Sequence, residues 1–269
     1  MTDLSWAAAL RDLAANGDSF VAQPIESEFG RLFGGLVLAY GLAAAAATVD
    51  ATKLPQSLHG YFVRGGQPGV AIDLDVNRLR DGRAFSTRRV TASQGGAVIL
   101  EMLASFHVAE AGEDWHPPAP PRPGPHDSVP VPRMPEMSEH FEMRMIGEAT
   151  MFSGPPYWIR VIEEVDDDPV TRACVLTFLS DMGLMAAARP SGLTIDAERP
   201  PEDQRPLMRN AASLDHSLWF HRPFDPNAWH RFEATKRNGN DARGLVTGSI
   251  YDADGTLVAS VAQEALWRV

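Results

Sequence analysis

Two stretches of the chain carry almost no charge. Residues 34–49 read GGLVLAYGLAAAAATV, and residues 173–188 read ACVLTFLSDMGLMAAA. A run of this length that is apolar on every side predicts a helix enclosed in a core. The runs that follow alternate instead. In residues 257–267 the positions Leu257, Ala259, Val261, Gln263, Ala265 and Trp267 share one face at a period of two, and Val98, Leu100, Met102, Ala104 and Phe106 do the same earlier in the chain. Asp81-Gly82, Gly95-Gly96, Asn238-Gly239 and Asp254-Gly255 punctuate these runs as hairpin turns do. Each half therefore predicts one long buried helix followed by an antiparallel meander.

The halves repeat each other. YFVR at 61–64 is echoed by WFHR at 219–222, and GAVI at 96–99 by GTLV at 255–258. Two nearly equal spacings far apart in the chain point to a duplication. Between the halves, residues 116–135 (HPPAPPRPGPHDSVPVPRMP) are too rich in proline for a helix interior or a central strand. This divides the chain into residues 1–112, a surface linker with few core contacts at 113–138, and residues 139–269. A second proline-rich stretch at 199–206 reads as a loop.

Composition narrows the field. The 269 residues are 44% hydrophobic and 22% charged, as expected of a globular protein. A net charge of -11 argues against nucleic acid as a partner, which calls for a basic face. The lone Cys174 excludes an internal disulfide and a cysteine-cluster metal site, and suits a reducing compartment. The N-terminus lacks the basic start and apolar core of a secretory signal, and the longest uncharged stretch falls short of the about 20 residues that span a bilayer. The expectation is a cytoplasmic protein with neither membrane nor nucleic acid among its partners.

Against this background Asp181 stands out as the only charge in residues 173–188. A buried carboxylate must be desolvated or partnered, so Asp181 is either functional or a structural cap. Gln263 is the only polar member of its strand face and needs a hydrogen-bond partner, catalytic or structural. In SLDHSLWFHR, alternation puts Ser213, Asp215, Ser217, Trp219 and His221 on one face and Leu214, His216, Leu218, Phe220 and Arg222 on the other, without saying which is inside. The histidines read as packed core residues. No nucleophile elbow, zinc-protease motif, dinucleotide fingerprint or Walker loop is present. The basic run at 78–89 (RLRDGRAFSTRR) suits either a solvated strand face or the phosphates of an anionic ligand.

These segments together resemble the type II acyl-CoA thioesterases. The resemblance is carried by FGG at 33–35, LHGYFVRGG at 58–66, LRDGRAFSTRRVTASQGG at 79–96, ASF at 104–106, FLSDM at 178–182, SLDHSLWFHRPF at 213–224 and ARGLVTGSIYDADGTLVASVAQE at 242–264. It implies an α+β double hotdog, in which each sheet wraps its long helix, and a homo-oligomer, dimer or tetramer, acting on acyl-CoA without cofactor or metal. The trio that would activate water falls on Asp181, Ser213 and Gln263, with helix N-terminal amides as oxyanion donors. Gly34, Gly35, Arg64, Arg88 and Arg89 are expected to contact substrate. Relatives carry Thr where Ser213 stands and commonly Gln where this chain has Leu36. The alternatives are a hotdog enoyl-CoA hydratase, using an Asp and His pair, and a non-catalytic acyl-ligand binding protein. Lining up the halves sets Gly35 against Asp181, Ala104 against Gln263 and Ser57 against Ser213, so one working site per chain is expected, in the second half.

Overall fold

The computed structural model describes residues 5–23, 31–131, 139–147, 154–193 and 210–268. The proline-rich loop expected at 199–206 lies outside them. A short helix α1 (Trp6–Ala9) and strands β1 (Leu13–Asn16) and β2 (Ser19–Ala22) precede the buried helix α2 (Gly34–Ala46). Strands β3 (Lys53–Phe62), β4 (Ile72–Asp81), β5 (Phe85–Gln94) and β6 (Ala97–Val108) complete the first half. The second half contains β7 (Val129–Pro130), β8 (Phe141–Met145), β9 (Tyr157–Val161), α3 (Pro169–Ser180), α4 (Leu184–Ala187) and β10 (Ala211–Ser213). It ends with β11 (Asp215–Phe220), β12 (His230–Asn240), β13 (Arg243–Tyr251) and β14 (Leu257–Trp267).

The strands form one antiparallel sheet in the order β1-β2-β4-β5-β6-β3-β11-β14-β13-β12-β9-β8-β7, with β10 pairing to β14. Read outward from the central β3–β11 seam, the two halves mirror each other: β6 and β14 come next, then β5 and β13, then β4 and β12. At the seam His59 pairs with Ser217, residues that are also each other's equivalents in the repeat. The axis of the duplication passes through this pair, where His59 Nδ1 and Ser217 Oγ are 3.0 Å apart.

The helices lie inside the sheet because their sequences leave no polar face to expose. Residues Gly35 through Ala45 of α2 are all buried. In β4, Ile72, Leu74 and Val76 point inward while Asp73, Asp75 and Asn77 face solvent. The inner faces of β6 and β14 are the ones alternation picks out: Leu100, Met102, Ala104 and Phe106 in one, Ala259, Val261, Gln263, Ala265 and Trp267 in the other. The start of α3 is fixed by Asp168, whose side chain accepts from Thr171 N–H at 2.7 Å, and by Pro169 in the first turn.

Two expectations need correction. The second helix is not continuous over 173–188: α3 ends at Ser180, Asp181 caps it, and Gly183 at φ 79° turns the chain into α4. A side chain is strained at that φ, so Gly183 makes the break. The last-but-one hairpin does not turn at Asn238-Gly239, which lies within β12, but at Asp241 and Ala242, both with positive φ. The proline-rich segment lies on the surface, and side-chain donors hold it there. Arg231 donates to Pro120 O at 2.9 Å, Trp158 Nε1 to Pro123 O at 3.0 Å, and Arg122 pairs with Glu233 at 3.0 Å. Proline carbonyls remain good acceptors, so a segment unable to join a sheet centrally is strapped across one by side-chain donors.

The N-terminus crosses over as well. Trp6 and Ala7 amides donate to Glu163, and the Trp6 ring meets Phe141 and Phe178 edge-on at 4.8 and 4.9 Å. Residues 5–9 of the first half thus pack on the second.

Removing residues 120–123 severs the Arg231 and Trp158 bonds, each worth about 1 kcal/mol net. The deletion variant is expected to unfold about 4–8 °C below the parent in a thermal melt. An unchanged midpoint would show that the strap contributes nothing.

Candidate active site

Asp181 is placed by two helix ends. It is the C-cap of α3, where the unpaired carbonyls of the last turn disfavour a negative charge, and it abuts the first turn of α2, whose amides favour one. Gly35 N–H donates to Asp181 Oδ2 at 2.9 Å. The approach needs glycine on the α2 side. A Cβ on Gly34 would lie 2.8 Å from Asp181 Oδ2, and one on Gly35 2.5 Å from Phe178 O.

The other oxygen, Oδ1, is buried and has no hydrogen-bond partner among the described residues. Burial pushes the carboxyl from its ordinary 3.8 up to about 7, against the opposing pull of the Gly35 amide and the Gln263 side chain. The charged form of Asp181 therefore costs on the order of 4 kcal/mol relative to water. The free lone pairs of Oδ1 can receive an O–H from a bound molecule.

Gln263, fully buried on β14, joins the remaining groups. Its Nε2 donates to Ser213 Oγ at 2.8 Å, and its Oε1 lies 2.7 Å from His216 Nδ1. His216 Nε2 in turn lies 2.9 Å from Ser180 Oγ, and His216 Nδ1 is 3.9 Å from Asp181 Oδ1. Burial holds the imidazole down at about 4, opposed by its bond to Gln263, so it is neutral at physiological pH. One polar chain, Ser180–His216–Gln263–Ser213, thus runs beside the carboxylate through an otherwise apolar interior.

Strict alternation sets Ser213 and His216 on opposite faces, yet both reach Gln263. The reason is a one-residue slip between β10 and β11. Ser213 is opposite Ala265, whereas the β11 register, in which Ser217 is opposite Ala262, puts His216 across from Gln263. Leu214 absorbs the extra residue, its N–H donating to Glu264 O at 2.9 Å, while Glu264 N–H donates to Asp215 Oδ1 at 2.7 Å.

Of the residues expected at the site, Asp181, Gln263, Ser213 and Gly35 converge here, and Gly34 lies against Asp181. Of the arginines, Arg88 is withdrawn from it. Arg88 is 1% exposed and is bonded to Thr48 Oγ1, Thr48 O, Arg80 O and Asp81, which makes it a structural cation that cannot meet a ligand. Arg89 is exposed on β5, and Arg64 is exposed with its guanidinium on Val98 O at 2.9 Å. Within the basic run, Arg78 is paired with Asp18 at 2.7 Å. The Gly35 amide, expected among the substrate contacts, donates to Asp181 Oδ2 instead. His216, a packed core histidine as expected, also bonds to the site through Gln263, and Ser180 joins it without any signal in the sequence. The signal available for His216 was its pairing with Leu218 on one face, since Leu218 is the more certain core residue.

The duplication clarifies the asymmetry. Through the strand pairings, Leu58 occupies the place of His216 and Ala104 that of Gln263. Gly35 is not the counterpart of Asp181 but its contact, since one residue opens α2 and the other closes α3. Ser57 pairs with Trp219 and corresponds to Asp215, not Ser213.

Residues 24–107 match the family profile described as the acyl-CoA thioesterase N-terminal domain, and residues 112–267 match that of the C-terminal domain. Acyl-CoA thioesterase 2 of Haemophilus influenzae is 31% identical, with 89% of this chain and 88% of that protein covered. Acyl-coenzyme A thioesterase 8 of Mus musculus is 29% identical, covering 89% and 81%. Among solved structures, the acyl-CoA thioesterase II TesB2 of Mycobacterium marinum superposes with a TM-score of 0.82 at 32% identity, covering 97% of this chain and 98% of that one.

Because the folded chain holds the Asp181 proton more tightly than the unfolded chain does, stability falls as pH rises from 3.8 towards about 7, and the loss is complete above that. Asp181→Asn lacks this dependence. Its melting temperature, taken relative to the parent's, is expected to rise between about pH 4 and about pH 8. A constant difference would mean that Asp181 is not desolvated.

Proposed function

The chain belongs to the acyl-CoA thioesterase family, and from that premise we propose that it hydrolyses acyl-CoA with a water activated by Asp181 and held by Ser213 and Gln263. The observation that carries the reading is the buried, unbonded Oδ1 of Asp181 beside the Gln263–Ser213 pair.

In this mechanism water donates one O–H to Asp181 Oδ1. Its oxygen attacks the thioester carbonyl carbon as Asp181 takes the proton, giving a tetrahedral intermediate. Collapse of the intermediate breaks the carbon–sulfur bond and expels CoA as thiolate, which takes up the proton from Asp181. The carboxylate is regenerated without an acyl-enzyme. Ser213 and Gln263 contribute by holding the water on its line of attack, and that fixed orientation replaces entropy otherwise lost in the transition state. A carboxylate raised to about 7 is a stronger base than an ordinary aspartate and remains substantially ionised at neutral pH.

The hydratase alternative requires a histidine that reaches the substrate. His216, the one beside Asp181, has both nitrogens engaged inside the protein. A dimer or tetramer belongs to the same proposal. It is supported by the outward apolar side chains Leu54, Phe85 and Leu103 on the neighbouring strands β3, β5 and β6.

Asp181→Asn is expected to lower kcat by roughly 100-fold or more with KM little changed, measured by release of CoA thiol. For the parent, kcat/KM is expected to rise with pH through about 7, since only the ionised base works. A flat profile, or a fully active Asn variant, would remove Asp181 from the chemistry. With Leu58 and Ala104 in the counterpart positions, calorimetric titration with a thioether analogue of acyl-CoA is expected to give one site per chain. Two equivalent sites would contradict the asymmetry.

A further inference from the structure

The Gln263 side chain serves the reaction only one way round. Its two ends are nearly identical in shape and opposite in polarity, one donating and one accepting. Resting on the reading of Asp181, Ser213 and Gln263 as the water-activating trio, we propose that His216, backed by Ser180, is the positioning residue that keeps Gln263 Nε2 facing Ser213 and the water.

The contact between His216 Nδ1 and Gln263 Oε1, 2.7 Å, is a bond only if Nδ1 carries the hydrogen. A neutral imidazole then has a bare Nε2, which must accept the Ser180 hydroxyl hydrogen at 2.9 Å. Ser180 Oγ is also 2.8 Å from Thr177 O, and one hydrogen cannot serve both. If it went to Thr177 O, the imidazole hydrogen would have to sit on Nε2. A lone pair on Nδ1 would then face Oε1, and Gln263 would relieve this only by turning over. Turning over brings Oε1 to the side of Ser213 and the Asp181 carboxylate, where it can accept from the Ser213 hydroxyl but leaves no N–H for the water. The network is thus a two-state element, and the charge on Asp181 and the hydrogen on Nδ1 favour the same state.

Packing alone does not require a histidine here. The equivalent position in the first half is Leu58, fully buried at the same place in the strand, and its neighbour there is Ala104, not a glutamine. The histidine, the serine beneath it and the glutamine occur together only in the half that holds Asp181. His216 touches no substrate in this scheme; it acts through Gln263.

The test combines kinetics with the imidazole 15N spectrum. His216→Leu reproduces the residue that the fold already accommodates at 58. It is expected to lower kcat roughly 10- to 100-fold with KM changed less than about threefold, the effect of losing the support behind a working group. His216→Asn keeps a nitrogen donor where Nδ1 stands and is expected to recover much of that loss. In the unsubstituted protein, the His216 resonances, assigned by their disappearance in the Asn variant, are expected to show the Nδ1–H tautomer. An Nε2–H tautomer, a His216→Leu variant with parental kcat, or folded Asn and Leu variants that are equally inactive would overturn the proposal. Asp181→Asn and Gln263→Ala in the same assay separate the two layers. If both are inactive while His216→Leu is fully active, only the orienting role fails; if both are active, the trio itself fails.

Discussion

The site depends on one contact between the halves of the chain, the hydrogen bond from the Gly35 amide to Asp181 Oδ2. It joins the opening turn of one buried helix to the closing residue of the other, and it is the one direct hydrogen bond Asp181 makes among the described residues that offsets the cost of burying its carboxylate. Because the bond satisfies only one oxygen, the carboxylate is tolerated without being fully quenched. A second donor on Oδ1 would have stabilised the fold and lowered the basicity that the proposed mechanism needs. The absence of side chains at Gly34 and Gly35 lets the helix end approach closely enough for this balance.

The duplication provides the architecture into which that contact is set. Two hotdog units share one sheet through the β3–β11 seam, and the N-terminal helix and the proline-rich strap both reach across to the second unit's elements. The enclosure is supplied twice, the polar chain beside Asp181 only once. At the counterpart positions Leu58 and Ala104 complete an apolar core, which is stable without paired polar groups. The polar chain from Ser180 to Ser213 is tolerated in the other unit because each link is bonded to the next.

The arginines show where charge is structural. The basic run at 78–89 invites a reading as a phosphate site, yet Arg78 and Arg88 are taken up by Asp18 and Asp81. Lysines and arginines in a strand count as ligand-binding only after their pairing within the sheet is known, since an adjacent carboxylate consumes the charge.

The residues by themselves determined the two buried helices, the inner faces of β6 and β14, the duplication and the singular character of Asp181 and Gln263. These follow from local rules: periodicity chooses the face, and an isolated polar group in an apolar run has to be accounted for wherever the chain goes. Tertiary structure decided the rest. Which face of SLDHSLWFHR turns inward depended on pairing with β14, and the slip at Leu214 brought Ser213 and His216 to the same side against the alternation of the sequence. That Gly35 is the partner of Asp181 and not its repeat equivalent depended on how α2 and α3 meet. No pattern within a single element encodes that meeting, because the helix ends belong to different halves and are 146 residues apart.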